Sequence, residues 1–305
     1  MHRYNKINNI NNDLGWPFML NKFLDPKNDM AFKKIFGSEK NKYILIHFLN
    51  DMLEFKAKKP IIDVKFLKPV QDPEIAARKT SIVDILCTDE IGNCYIVEMQ
   101  VAKEKGFTKR AQFYAAKAYG SQLNIGGAYN DLKEVIFLAI ADFIMFPEKT
   151  SYKSDHIILD RNSYEHDLKD FSFSFLELAK FNKPKEQLST MIEKWCYFFK
   201  YANDTNEQDL PQIIGHDSII QQAYEELNKF NWNQEELNSY EAAIKKDMDY
   251  NAAMAQKFDE GLEKGKVEGK IENAKEIALA MLAKCLDINL ISDITKLSVK
   301  EVQDL

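Results

Sequence analysis

The sequence predicts an α/β protein with a helical C-terminal third, on three observations. Residues 80–103, TSIVDILCTDEIGNCYIVEMQVAK, have the pattern of a β-hairpin. Residues 134–144, EVIFLAIADFI, are the continuous apolar run of a strand covered on both faces. From Lys185 the apolar spacing turns helical and stays so to about residue 286. The 305 residues, 45% hydrophobic and rich in Phe and Tyr, can build one large domain with an appendage or two modest domains. The expected division is a polar tail over 1–20, a main domain over 21–235 and a charged helical segment over 236–305.

Each element has its own signal. The start, MHRYNKINNINNDLGW, is Asn-rich, lacks the apolar stretch of a secretion signal and reads as a tail. FLDPKNDMAFKKIFG reads as a short helix, with Asp25 as N-cap, Pro26 as first helical residue and Gly37 as stop. Its apolar stripe is Ala31, Phe32, Ile35 and Phe36, while Asp29 and Lys33, four apart, make a surface ion pair. A second helix over about 41–53 turns Ile44, Phe48 and Leu49 inward. Residues 60–70 are extended, and 71–80 lead into the hairpin. A long helix follows it, from Thr108 to about Asn124, with Arg110, Tyr114 and Lys117 on one stripe. That stripe suits either a phosphate-facing role or a solvated face with Tyr114 half packed. Further strands are expected at 154–160 and 171–181, where Phe171, Phe173 and Phe175 alternate.

The hairpin carries the chemistry. A three-residue loop, Glu90-Ile91-Gly92, with positive φ at Gly92, sets Thr88 opposite Cys94, Leu86 opposite Ile96 and Asp84 opposite Glu98. Directly opposed residues share a face. Two carboxylates then meet beside Ile82, Leu86 and Ile96, with Gln100 further along. The other face, Val83, Ile85, Cys87, Tyr95, Val97 and Met99, reads as core. Paired carboxylates among aliphatic groups require solvent at an exposed edge, a shared proton, or a hard divalent cation between them.

Other classes of function are disfavoured. No apolar run approaches the roughly 20 residues of a membrane-spanning helix. Cys87, Cys94, Cys196 and Cys285 are scattered without CxxC spacing, as expected of reduced thiols in a cytoplasmic protein without a zinc site. The five histidines lack metal-ligand spacing. A net charge of −6 is not that of a generic nucleic-acid binder, although lysines cluster around the hairpin, at 56, 58, 59, 65 and 68 before it and at 103, 105 and 109 after it.

Near the C-terminus, Gly261, Gly265 and Gly269 recur at intervals of four in a charged helix, suiting a close helix approach or a hinge. The last stretch, LDINLISDITKLSVKEVQDL, reads as helix, turn, helix, with Ser298 and Glu301 as a capping box. This is compatible with a helix-turn-helix. Its low positive charge favours a small packing module.

FLDPKNDMAFKKIFG, SIVDILCTDEIGNCYIVEMQ and RAQFYAAKAYGSQLNIGGAYNDLKEVIFLAIADF, in that order, resemble the Rpn family of recombination-promoting nucleases and putative transposases, within the PD-(D/E)XK nuclease superfamily. The likeness runs from about residue 22 to at least 150. It implies a restriction-endonuclease-like core, a mixed central sheet flanked by helices, and metal-dependent endonuclease action on DNA in recombination or transposition. By the same resemblance Asp84 and Glu98 are the metal ligands, with Mg²⁺ or Mn²⁺ as the ion, the Met99 carbonyl and waters completing the shell, and Asp29 as an additional acidic ligand. Gln100 occupies the catalytic position where the wider superfamily often has lysine, and can only orient water or donate to phosphate. Lys103, Arg110 and Tyr114 are the implied nucleic-acid contacts, and two-strand cleavage implies a homodimer. The missing lysine and the acidic charge leave a weak or inactive fold, binding nucleic acid or protein, as the alternative.

Overall fold

The computed structural model describes residues 21–54, 59–67, 83–123 and 127–305. The lead-in at 71–80, together with Lys56, Lys58, Lys68 and Ile82, lies outside them. The chain divides into two units, the first ending at Ala243 and the second spanning Ile244–Leu305.

In the first unit the helices α1 (Asp29–Phe36) and α2 (Lys42–Met52) precede β1 (Val64–Phe66). The hairpin β2 (Ile85–Asp89) and β3 (Cys94–Gln100) is followed by α3 (Phe107–Ser121) and β4 (Val135–Ala141). Then come β5 (Lys153–Ile157), β6 (Phe171–Glu177), α4 (Met191–Tyr201), α5 (Leu210–Ile214) and α6 (Ser218–Leu227). These strands form one sheet in the order β1-β2-β3-β4-β6-β5. Its centre, β3-β4-β6, is parallel, while β1-β2, β2-β3 and β5-β6 are antiparallel, so the sheet is mixed as expected.

The expected hairpin loop is present. Gly92 has φ +94° and donates to the Asp89 carbonyl at 3.1 Å, and the ladder pairs Leu86 with Ile96 and Thr88 with Cys94. The continuous apolar strand is also present, with every residue of β4 buried.

Burial departs from expectation at the hairpin, where both faces are core. Cys94, Ile96, Val135, Phe137, Ala139 and Phe175 pack under Phe107, Ala111 and Ala115 of α3. Parallel strands β3 and β4 need a crossover, and α3 lies in it, over the face that carries Glu98. Val83 belongs to this cluster too, not to the opposite face, because the chain bends at Asp84 before β2 begins. Met99 is only half-buried. Ile85, Cys87, Tyr95 and Val97 on the other face are buried as expected.

An aromatic core joins the helices. The Phe36 and Phe48 rings meet tilted at 5.1 Å, and Trp195 meets Phe48 edge to face at 5.2 Å, linking α1, α2 and α4. The Trp195 indole donates to Asp51 at 2.9 Å, and His47 meets Asp217 at 2.9 Å, so these polar groups serve structure. The stripe Ala31, Phe32, Ile35 and Phe36 is fully buried. The start of α1 differs from expectation: Asn28 is the N-cap, accepting from the Met30 and Ala31 amides, and the helix begins at Asp29. Asp25 instead closes a local turn by accepting from the Lys27 amide at 2.9 Å, which delays the helix by one turn.

The second unit contains most of α7 (Gln234–Leu282), then α8 (Ile288–Thr295) and α9 (Val299–Gln303). α7 passes unbroken through the three spaced glycines. Ala278, Ile291, Leu297 and Val302 form a small core of their own. Asp287 caps α8, and Ser298 and Glu301 form the expected capping box on α9.

Candidate active site

The site sits where β2 begins and β3 ends. The ladder ends at Ile85 with Val97, and in the bend just before it Asp84 turns its carboxylate to the end of β3, beside Glu98. The Asp84 Oδ2 accepts the Met99 amide at 2.8 Å, which fixes the carboxyl and leaves Oδ1 as its outward oxygen. Glu98 is 6% exposed, and its Oε1 is buried without a hydrogen-bond partner. Across the parallel pairing its neighbour is Ala139, whose small side chain leaves the carboxylate room.

Burial pushes both acids up from the ordinary carboxyl range. For Glu98 the Asp84 charge adds to burial, and Arg110 and Lys33 oppose it. For Asp84 the Met99 amide and the Lys33 ammonium oppose burial, and Asp29 adds to it. The pair is therefore short of positive charge.

Gln100, also buried, has both ends of its amide engaged. Its Nε2 donates to the Ala102 carbonyl at 2.8 Å, and its Oε1 accepts from the Arg110 guanidinium. Arg110 donates a second bond to Glu104 at 2.7 Å and lies over the Phe107 ring at 5.0 Å. Its Nε is buried and unpartnered. Tyr114, one turn along α3, is half-buried against the core, and burial raises its phenol pKa. Lys103 is exposed between β3 and α3.

Asp29 does not join the pair directly. Its Oδ1 holds the Lys33 ammonium at 2.6 Å, and that ammonium lies 3.8 Å from Asp84 Oδ1. Among the described residues no three His, Cys, Asp or Glu side chains converge as a metal cage. Asp84 and Glu98 nevertheless fit a hard divalent cation. Mg²⁺ is commonly held by one or two carboxylates with waters filling the octahedron, and the orphaned Oε1 is a buried acceptor awaiting such a partner.

Two neighbours escaped sequence reasoning. Lys33 had a visible signal, its spacing from Asp29, but nothing that tied it to Asp84. Lys27 pairs with Asp142 at 2.9 Å, and the Asp142 amide donates to the Gln100 carbonyl at 3.0 Å, linking the approach to α1 with the end of β3. No local pattern encodes that contact.

With the geometry in hand, comparison with known proteins adds a family. A family model described as a PD-(D/E)XK nuclease family transposase matches residues 26–257. A second, described as the C-terminal HTH domain of the Rpn/YhgA-like nuclease family, matches residues 272–305. The terminal module thus matches a helix-turn-helix model, whereas its charge favoured a packing role. No curated protein and no solved structure matches the chain.

Proposed function

The chain belongs to the PD-(D/E)XK nuclease family transposases, and on that footing we propose that it is a divalent-metal-dependent DNA endonuclease acting in recombination or transposition. The observation that carries this reading is the neighbouring pair of a half-buried Asp84 and a buried Glu98, with an acceptor oxygen of Glu98 left unsatisfied. A structural role offers no return for desolvating two like charges side by side. A metal site does.

Asp84 and Glu98 would hold Mg²⁺, or Mn²⁺ in its place. Such an ion, once bound, polarises a phosphate oxygen and lowers the pKa of a coordinated water so that it can attack in line. The residues of the chain prepare that step. Met99, through its amide, orients Asp84 so that one oxygen faces outward. Burial under α3 keeps Glu98 away from bulk water, which strengthens its hold on a cation. Gln100 fixes the Arg110 guanidinium beside the pair, so positive charge enters from α3 and not from the strand. Tyr114 on α3 and the exposed Lys103 before it would be the further contacts to a DNA backbone. The helix-turn-helix module at 272–305 suits a second DNA contact, and cutting both strands with single centres suits a homodimer.

Plasmid nicking in Mg²⁺ or Mn²⁺ by the wild type, Asp84→Ala and Glu98→Ala tests this. Cutting that needs metal and is lost in both variants is the expected result. DNA retained in a gel shift without cutting by the wild type would support a binding fold instead. Equal cutting by all three proteins would remove the pair from the mechanism.

A further inference from the structure

We propose that Lys33 is the cation that faces the scissile phosphate, standing in from α1 for the lysine that β3 lacks at Gln100. The inference rests on the nuclease reading above and deepens it by naming the group that meets the substrate's charge.

Phosphoryl transfer concentrates negative charge on the phosphate oxygens, and a fixed cation beside the metal stabilises it. Apart from Lys103, exposed between β3 and α3, three side chains beside the carboxylates could supply or replace that charge. Gln100 is neutral, and its amide is used at both ends. Arg110 is positive but committed, bonded to Gln100 and Glu104 and stacked on Phe107. Turning it to a phosphate would break contacts that hold α3 to the end of β3. Lys33 carries no such burden.

Its placement is set by the core. Phe32 and Phe36 bury the inner face of α1, so Lys33 emerges at the rim of the site. The side chain is 40% exposed, and its ammonium rests between Asp29 Oδ1 at 2.6 Å and Asp84 Oδ1 at 3.8 Å. Asp84 Oδ1 is the oxygen that the Met99 amide leaves free for a ligand. Lys33 therefore guards the open side of the carboxylate pair. Asp84 and Glu98 would hold the divalent ion, and with their charge met Lys33 would be freed from Asp84. Asp29 keeps the ammonium close while its other donors turn to the incoming phosphate. Asp29 then acts as a positioning residue for Lys33, which explains an acidic group near the pair that does not converge with it on a metal.

A plain surface ion pair between Asp29 and Lys33 predicts otherwise, since such pairs are worth little and leave DNA untouched. The full-length protein, Lys33→Gln and Lys33→Arg are compared in two measurements. The first is a gel shift of a duplex oligonucleotide in Ca²⁺ over a salt series. The second is the single-turnover rate of plasmid cutting in Mn²⁺. Glutamine keeps the first two methylenes of the stem and a similar helix propensity, and circular dichroism checks that each variant is folded.

Removing one phosphate contact should lower the slope of log affinity against log salt by about 0.9. Loss of a transition-state donor should slow cutting by roughly 100-fold. Lys33→Arg should keep the slope and recover part of the rate. An unchanged slope in Lys33→Gln overturns the proposal, whether or not the rate falls, because Lys33 would then not meet the phosphate. If the wild type binds DNA without cutting, the hydrolytic reading fails by itself and the salt slope still decides Lys33.

Discussion

Replacing Glu98 by Gln should stabilise the metal-free protein while abolishing its use of metal. The Asp84 charge acts on Glu98 from beside it, and neighbouring side chains on adjacent strands lie about 5 Å apart. At that separation and an effective dielectric of about 20, two carboxylates repel by about 3 kcal/mol. Gln removes one charge at nearly constant volume and offers an amide donor beside Asp84. For a unit of this size, about 3 kcal/mol corresponds to a rise in melting temperature of roughly 6–12 °C.

The sign with pH follows from the direction of both shifts. Burial raises the folded pKa of each acid above its unfolded value, 4.5 for Glu and 3.8 for Asp. The stability is therefore fully present below the unfolded pKa and is lost as pH rises through the folded one. Wild type and Glu98→Gln should melt alike near pH 4 and diverge by pH 8. Differential scanning fluorimetry in EDTA across that range reads the effect. Added Mn²⁺ should then raise the wild type, by about 2.7 kcal/mol at a hundredfold excess over Kd, and leave the variant nearly unmoved. A variant that melts at or below the wild type at pH 8 in EDTA would refute the account of strain between the two carboxylates.

Restoring the superfamily's lysine with Gln100→Lys should harm the protein. An ammonium would meet the Arg110 guanidinium in a buried place and remove its acceptor, at a cost of about 2–4 kcal/mol; a variant that is equally stable and cuts faster contradicts the role given to Gln100. Glu193→Gln should cost about 1–2 kcal/mol near pH 7. Burial opposes the charge of Glu193, but Lys183 and the Ser189 and Thr190 amides outweigh it and lower its pKa to about 2. That stability is present above the unfolded pKa and lost as pH falls toward 2, so denaturant melts of the two proteins should converge in acid.

Much of the fold was legible because local chemistry decided it. Gly92 alone supplies the positive φ that a three-residue loop needs, and the loop dictated the register down to Ile85 with Val97, the residues next to Asp84 and Glu98. Seven apolar residues in succession allowed β4 no exposed face. Ser298 and Glu301 marked the start of α9 through side chains three positions apart. The start of α1 was misread because Asp25 and Asn28 are both good caps, and the turn closed by Asp25 gave the position to Asn28.

The pairing of two carboxylates was thus a property of the sequence, written in a turn and in the two-residue period of a strand. Their environment was decided by tertiary structure. α3 crosses over the face that carries Glu98 and buries it, and the same crossover delivers Arg110 to Gln100. α1, held by its aromatic face, brings Lys33 to Asp84 from far along the chain. Desolvation and Coulomb forces depend on distance in space, and no periodicity along the chain records which helix will cover which strand.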